Sequence, residues 1–225
     1  MRVPMIFRQP ETYLSVIASR DKITAWQSPK FGERILQNLF RQPEVMSHYR
    51  RSQQKGGTFF FTVALANRQS NLLVQHIDYF KQAYRKVWQD YPFESVAVCV
   101  LPDHVHAIWT LPLDDCDYSL RWQLIKRYFS RHFDASQTRS HSKFKHREKG
   151  IWQRRFWEHE IREKQDLQRC LDYVHFNPVK HGYVAQCVDW EYSTFHRYVR
   201  LGMLPENWGG TEIVRDQIMQ IGDWD

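Results

Sequence analysis

Hydrophobic positions change their period several times along the chain, and each change marks an element. Residues 58–65 (TFFFTVAL) are aromatic and β-branched and follow Gly56-Gly57, which predicts a strand. Leu72, Leu73, Ile77, Phe80, Tyr84, Val87 and Trp88 recur at helical spacing over 71–91, and Pro92 ends the run. Residues 94–101 (ESVAVCVL) and 104–111 (HVHAIWTL) read as strands separated only by Pro102-Asp103, a connection short enough to pair them antiparallel. A helix is predicted over 118–133 with Ser119 near its start, then a polar, basic loop over 134–150 and a short strand over 156–161. A last helix, over 165–176, turns Leu167, Cys170, Leu171 and Val174 inward and ends near Pro178. The segment after Gly182, rich in aromatics and glycine, is expected to wrap the core. The order β-α-β-β-α-β-α is the split β-α-β, ferredoxin-like pattern with one extra helix, an α+β fold on an antiparallel sheet.

Residues 1–45 break this regularity. They carry Pro10, Pro29 and Pro43 and one helical stretch over 31–41, and read as a small extension or a disordered arm outside the core. Met46, followed by SHYRR, stands where a core domain could begin, so the core is placed at 46–210, with 211–225 as a C-terminal tail. No run approaches the ~18 apolar residues of a membrane span, and the first residues lack the pattern of a secretory signal. A cytoplasmic location is therefore expected. The four cysteines lie far apart with no CxxC pair, which argues against a zinc ribbon and against a dithiol redox motif.

Charge sharpens the picture. The net charge is +7, and the stretch from Arg121 to Arg162 holds 12 Lys/Arg against 4 Asp/Glu. So concentrated a basic region suits a polyanion, most often nucleic acid. Phe144, His146, Trp152, Phe156, Trp157 and His159 are interleaved with it. Aromatic rings beside cations suit stacked, unpaired bases.

Three elements carry chemistry. On a strand, side chains two apart share a face, so His104 and His106 project together and can hold one divalent ion. Val105, Ala107, Trp109 and Leu111 form the opposite, core-facing side. Alone, such a pair favours two incidental histidines, one hydrogen-bonded and one exposed. Asp103 just before it could orient an imidazole, but is expected to cap the turn. Tyr173 and Asn177 are four apart and lie on nearly one helix face. A phenolate is a nucleophile and an amide oxygen can reach a metal, although a residue before proline avoids the α region, which puts Asn177 at the frayed helix end. The segment 150–162 (GIWQRRFWEHEIR) offers Arg154 and Arg155 for phosphates or bases, and Glu158 and His159 as ligands or acid/base groups.

Together, HVH within LPDHVHAIWTLP, GIWQRRFWEHEIR, DYVHFNPVKHGYV, DWEYSTFHRYV and NWGG resemble the REP-associated tyrosine transposases, single-tyrosine DNA transferases of the HUH superfamily related to the IS200/IS605 transposases. The resemblance runs from about Met46 to Gly210; His175-Phe176 depart from it without touching the chemistry. It implies a ferredoxin-like HUH-endonuclease core and a nucleophile at Tyr173. It also implies an Mg²⁺ or Mn²⁺ ion on His104, His106 and Asn177, with no small-molecule cofactor. The partner it implies is single-stranded or hairpin DNA of the repetitive extragenic palindrome type, cut through a 5′-phosphotyrosine and rejoined. Such a protein works on the bacterial nucleoid; monomer and dimer stay open. Arg121, Lys126, Arg127, Arg154, Arg155, Lys180 and His181 are the expected DNA contacts, and Lys180 and His181 are also near enough to help activate the tyrosine. Three other readings remain: a hairpin-binding protein that does not cut, a metal hydrolase using His104, His106 and Glu158 with water as nucleophile, and an RNA-binding module stacking bases on TFFFTV.

Overall fold

Successive side chains of the strands part to opposite faces of one sheet, and different helices cover the two faces. In the computed structural model, which describes residues 51–135, 141–146 and 148–209, β1 (Thr58–Ala64), β2 (Glu94–Val100), β3 (His104–Thr110) and β4 (Trp157–Ile161) form an antiparallel sheet. Its order is β2-β3-β1-β4. This is the ferredoxin-like arrangement expected from the sequence, with the histidine strand in the interior. The helices are α1 (Leu72–Gln75), α2 (Ile77–Asp90), α3 (Tyr118–Ser130), α4 (His141–Lys145), α5 (Lys164–Lys180) and α6 (Phe195–Arg200). The expected extension at 1–45, its helix over 31–41 and the tail at 211–225 lie outside the described residues.

One face is purely structural. Phe59, Phe61 and Val63 of β1 and Val105, Ala107 and Trp109 of β3 pack against Phe80 and Val87 of α2 and Trp122, Ile125 and Phe129 of α3. The Trp109 and Trp122 rings stack with centroids 4.3 Å apart. Full burial of each large apolar side chain contributes about 1.5–3 kcal/mol, so this layer fixes the sheet. On the other face, Phe60, Ala97, Cys99 and Ile108 pack against Leu167, Cys170, Leu171 and Val174 of α5. Phe59, Phe60 and Phe61 are all fully buried. The RNA-binding reading, which needs TFFFTV as an open stacking platform, is therefore set aside.

Several boundaries differ from expectation for local reasons. The helix predicted over 71–91 divides at His76, which leaves helical geometry (φ −122°, ψ 40°) and ends α1 as it starts α2. Asp117 caps α3, its carboxylate accepting from Leu120 N at 2.8 Å, and the helix ends at Ser130, short of the expected 133. The loop expected over 134–150 contains α4. α5 continues past its expected end, with Pro178 inside its final turn. Gly182 (φ 70°) stops it: Gly182 N donates to Val179 O and Tyr183 N to Pro178 O. That double bond closes the helix end on the left-handed residue only glycine adopts without strain. Asn177 is thus a helical residue, not a frayed one.

The segment after Gly182 covers the edge strand β2, as expected of it. Thr194 N donates to Val98 O, Val98 N donates to Thr194 Oγ1 at 2.9 Å, and Arg197 and Tyr198 donate to the Val96 carbonyl. Covering an edge in this way removes a template for aggregation.

Arg121 is corrected here. It is buried, and its guanidinium donates to the carbonyls of Tyr91, Asp117 and Pro92 and to Asp115 Oδ2. It clasps α3 to the α2–β2 turn and has no surface to offer DNA. Arg121→Ala is expected to destabilise the fold by about 2–4 kcal/mol, because it strands three carbonyls and a carboxylate. The salt dependence of DNA binding should stay unchanged, where loss of a phosphate contact would lower the slope by about 0.9. Thermal unfolding and salt-titrated binding check the two halves.

Candidate active site

The second face of the sheet carries the candidate chemistry. Register places His106 opposite Thr62 of β1 and Cys99 of β2, so the histidines face α5 and not the structural core. His104 and His106 are both buried. Their Nε2 atoms lie 3.1 Å apart, and each Nδ1 is engaged from behind. His104 Nδ1 meets Asp103 Oδ1 at 2.8 Å, and His106 Nδ1 meets Thr62 Oγ1 at 3.0 Å. Arg68 Nε braces the second Asp103 oxygen at 3.0 Å. Burial raises the Asp103 carboxyl, but the hydrogen bond from His104 and the charges of His104 and Arg68 outweigh it and hold the group below the usual carboxylate range. The expectation that Asp103 only caps the turn is corrected: its side chain orients His104.

α5 lays Tyr173, Asn177 and His181 along one face at successive steps of four. The Tyr173 ring stands edge-on to His106 at 5.1 Å between centroids, and the His181 ring edge-on to His104 at 5.3 Å. Asn177, between them, therefore faces the same gap. Both of its side-chain polar atoms are buried and have no hydrogen-bond partner among the described residues. An orphaned buried amide costs about 1–3 kcal/mol, and an amide oxygen together with two imidazole nitrogens is a donor set that fits a divalent ion. Lys180 Nζ lies 3.4 Å from the Tyr173 hydroxyl and 4.8 Å from its ring centroid. The structure thus brings together His104, His106, Tyr173, Asn177, Lys180 and His181.

Other expected residues lie elsewhere. Lys126 donates to Gln153 O at 3.0 Å and sits over the Trp152 and Phe156 rings. Arg127 stacks on Tyr128, and Arg154 pairs with Glu148. Arg127, Arg154 and Arg155 are exposed, and α3, which carries Lys126 and Arg127, packs on the structural face. Glu158 points to that face too: it is buried opposite Phe61 and accepts from the Tyr118 hydroxyl at 3.0 Å. The sheet separates it from the histidines, so the hydrolase reading that used it as a ligand or base fails.

A second group of donors, His159, Asp166 and Cys170, has ligand atoms within 4.8 Å of one another. His159 Nε2 and Asp166 Oδ2 are already joined at 2.7 Å, and burial raises the Cys170 thiol well above its ordinary range, keeping it protonated. These contacts clasp β4 to α5. His175 faces away from the pair, near Thr194 and Tyr198, and burial pushes it down to about 3, so it stays neutral.

Trp157 sits on the chemical face in one row with Thr62 and His106. It is 40 % exposed, edge-on to Phe60 and within 12° of parallel to His159. Thr62 and Arg68 escaped sequence reasoning. Thr62 reveals itself only through strand register, and Arg68 lies in a loop with no pattern.

Comparison with known proteins shows the family. The IS200-like transposase family matches residues 58–177, a span that opens on β1 and closes on Asn177. A putative REP-associated tyrosine transposase of Haemophilus influenzae is 48% identical over 166 residues, covering 73% of this chain and 94% of that protein. The REP-associated tyrosine transposase of Escherichia coli K12 is 48% identical over 165 residues, covering 73% and 92%. A solved structure of a REP-associated tyrosine transposase bound to a REP hairpin matches with a TM-score of 0.65 and 48% identity, covering 74% of this chain and 93% of that one. On these matches over most of each relative's length, the chain belongs to the REP-associated tyrosine transposases, enzymes of the IS200-like transposase family.

Proposed function

We propose that this protein cuts and rejoins single-stranded DNA flanking REP-type hairpins, with Tyr173 as nucleophile and an Mg²⁺ or Mn²⁺ ion held by His104, His106 and Asn177. The observation that carries this reading is the approach of the Tyr173 ring to the His106 imidazole across a gap lined by the unsatisfied Asn177 amide. A divalent ion there would be held by His104, His106 and Asn177 and would supply Lewis-acid stabilisation of the charge that develops on the scissile phosphate. Tyr173 Oη forms the new P–O bond as the bond to the 3′ oxygen breaks. The phenolic proton is lost, the 3′ oxygen gains one, and the products are a 5′-phosphotyrosine and a free 3′-hydroxyl. Phosphodiester energy is kept in the adduct, so an incoming 3′-hydroxyl reverses the step and joins strands. Free tyrosine ionises only near pH ~10, and the Lys180 ammonium beside the hydroxyl favours the phenolate.

The substrate reading rests on charge and stacking. Trp157, exposed in the His106 row, offers a face for an unpaired base beside the scissile phosphate, and the relative solved with a REP hairpin supports that class of DNA. Lys126 and Arg127, on α3, and the exposed Arg154 and Arg155 suit the phosphates of the hairpin stem.

The test is a denaturing gel of labelled single-stranded palindromes taken from the gene's own flanks. With Mg²⁺ or Mn²⁺, a shortened strand and a protein-linked band are expected, and EDTA should abolish both while hairpin binding in native gels persists. Binding without cleavage under every metal condition would favour the non-cutting alternative.

A further inference from the structure

Away from the histidine pair, three side chains of ligand type converge from two elements. Asp166 and Cys170 stand four apart on α5 and share a face. His159 reaches that face from β4, where it lies opposite Phe60. The imidazole, carboxylate and thiol ligand atoms all lie within 4.8 Å of one another. Zinc bonds of about 2.0–2.3 Å, set in a tetrahedron, hold ligand atoms roughly 3.3–3.8 Å apart. Closing the cluster onto an ion thus takes side-chain shifts of about 1 Å. His159 Nε2 and Asp166 Oδ2, now 2.7 Å apart, part to admit it.

Burial is graded across the cluster. Cys170 is sealed, the Asp166 side chain is 14% exposed and that of His159 30%. An ion there is held from inside the fold and keeps one position toward water. Charge balances too: a carboxylate and a thiolate neutralise a divalent cation, the thiol proton passing to solvent as the ion binds. Arg169 Nη2 lies 3.5 Å from Asp166 Oδ1. That oxygen is not the one that meets His159, so the guanidinium orients the carboxylate and leaves Oδ2 for the ion. Donor type selects the cation. A thiolate beside an imidazole suits Zn²⁺, whereas Mg²⁺ and Mn²⁺ prefer oxygen.

We infer that His159, Asp166 and Cys170 form a second cation site, one for Zn²⁺ with water as the fourth ligand, that ties β4 to α5. The site shares no residue with His104, His106 and Asn177 and does not depend on an ion there. Cys170 is three residues before Tyr173, so the ion fixes the helix that carries the tyrosine against the edge of the sheet. It also holds the His159 ring, to which Trp157 lies within 12° of parallel.

The test uses the full-length protein, stripped of metal with a chelator and titrated with Co²⁺, a coloured stand-in for Zn²⁺. Stoichiometric Co²⁺ should give a thiolate-to-cobalt charge-transfer band in the near ultraviolet, and Zn²⁺ should bleach it. Cys170→Ser should remove the band, while Cys116→Ser and His106→Ala should keep it. His159→Ala and Asp166→Asn should weaken Co²⁺ binding by about 100-fold or more. Zn²⁺ should raise the Tm of the wild type and not that of Cys170→Ser, a readout independent of cleavage. The wild-type spectrum decides without any variant: no sulfur band would overturn the inference. So would a band that survives Cys170→Ser or vanishes with Cys116→Ser or His106→Ala, or an equal Zn²⁺ shift in Tm for wild type and Cys170→Ser.

Discussion

Replacing Tyr173 with phenylalanine is expected to abolish strand cleavage while leaving fold and hairpin affinity in place. The ring keeps its edge contacts with His106 and Phe60, so packing is unchanged. Only the hydroxyl and its contact with Lys180 Nζ disappear, a loss of no more than about 1 kcal/mol in stability. Because no second nucleophile replaces it, cleavage should fall on the order of 10⁴-fold or more. Single-turnover cleavage, thermal unfolding and native-gel binding separate the three quantities. Cleavage that survives would move the chemistry to water, and with it the assignment of the helix.

His106→Ala should rank next. It removes one donor to the ion and the wall against which Tyr173 packs, so cleavage should drop on the order of 10³-fold or more. A cavity beside Phe60 adds a stability cost of about 1–3 kcal/mol. The hairpin should still bind within a few fold, since the expected phosphate contacts lie on other elements. Raising Mn²⁺ concentration should recover little, because the position of the nucleophile is lost together with the ligand. Cleavage rates across a metal titration, compared with the wild type, measure this.

The histidine strand shows what was legible in the sequence. Period-two alternation assigned Val105, Ala107 and Trp109 to the core and His104 and His106 to the opposite face, and all five are buried where alternation put them. Tyr173 was legible through helical spacing and motif context, and the antiparallel sheet through the two-residue break at Pro102-Asp103. What escaped depends on contacts distant in sequence. Thr62 meets His106 across strand register. Arg68 meets Asp103 from a loop. Arg121 looked like one more cation in a basic stretch until the turn carbonyls around it appeared. The continuation of α5 through Pro178 depended on the cap at Gly182, several residues beyond the proline that argued for a stop. Charge reports on composition, and only packing shows which charges face water.

The central claim is that Tyr173 bonds covalently to DNA, and peptide mapping tests it most directly. Wild-type protein would be incubated with Mn²⁺ and a single-stranded palindrome, then digested with nuclease and protease and analysed by mass spectrometry. The account predicts a nucleotide linked through a 5′-phosphate to the peptide containing Tyr173, absent from Tyr173→Phe. A cleaved strand with no adduct, or an adduct on another residue such as Tyr183, would contradict it.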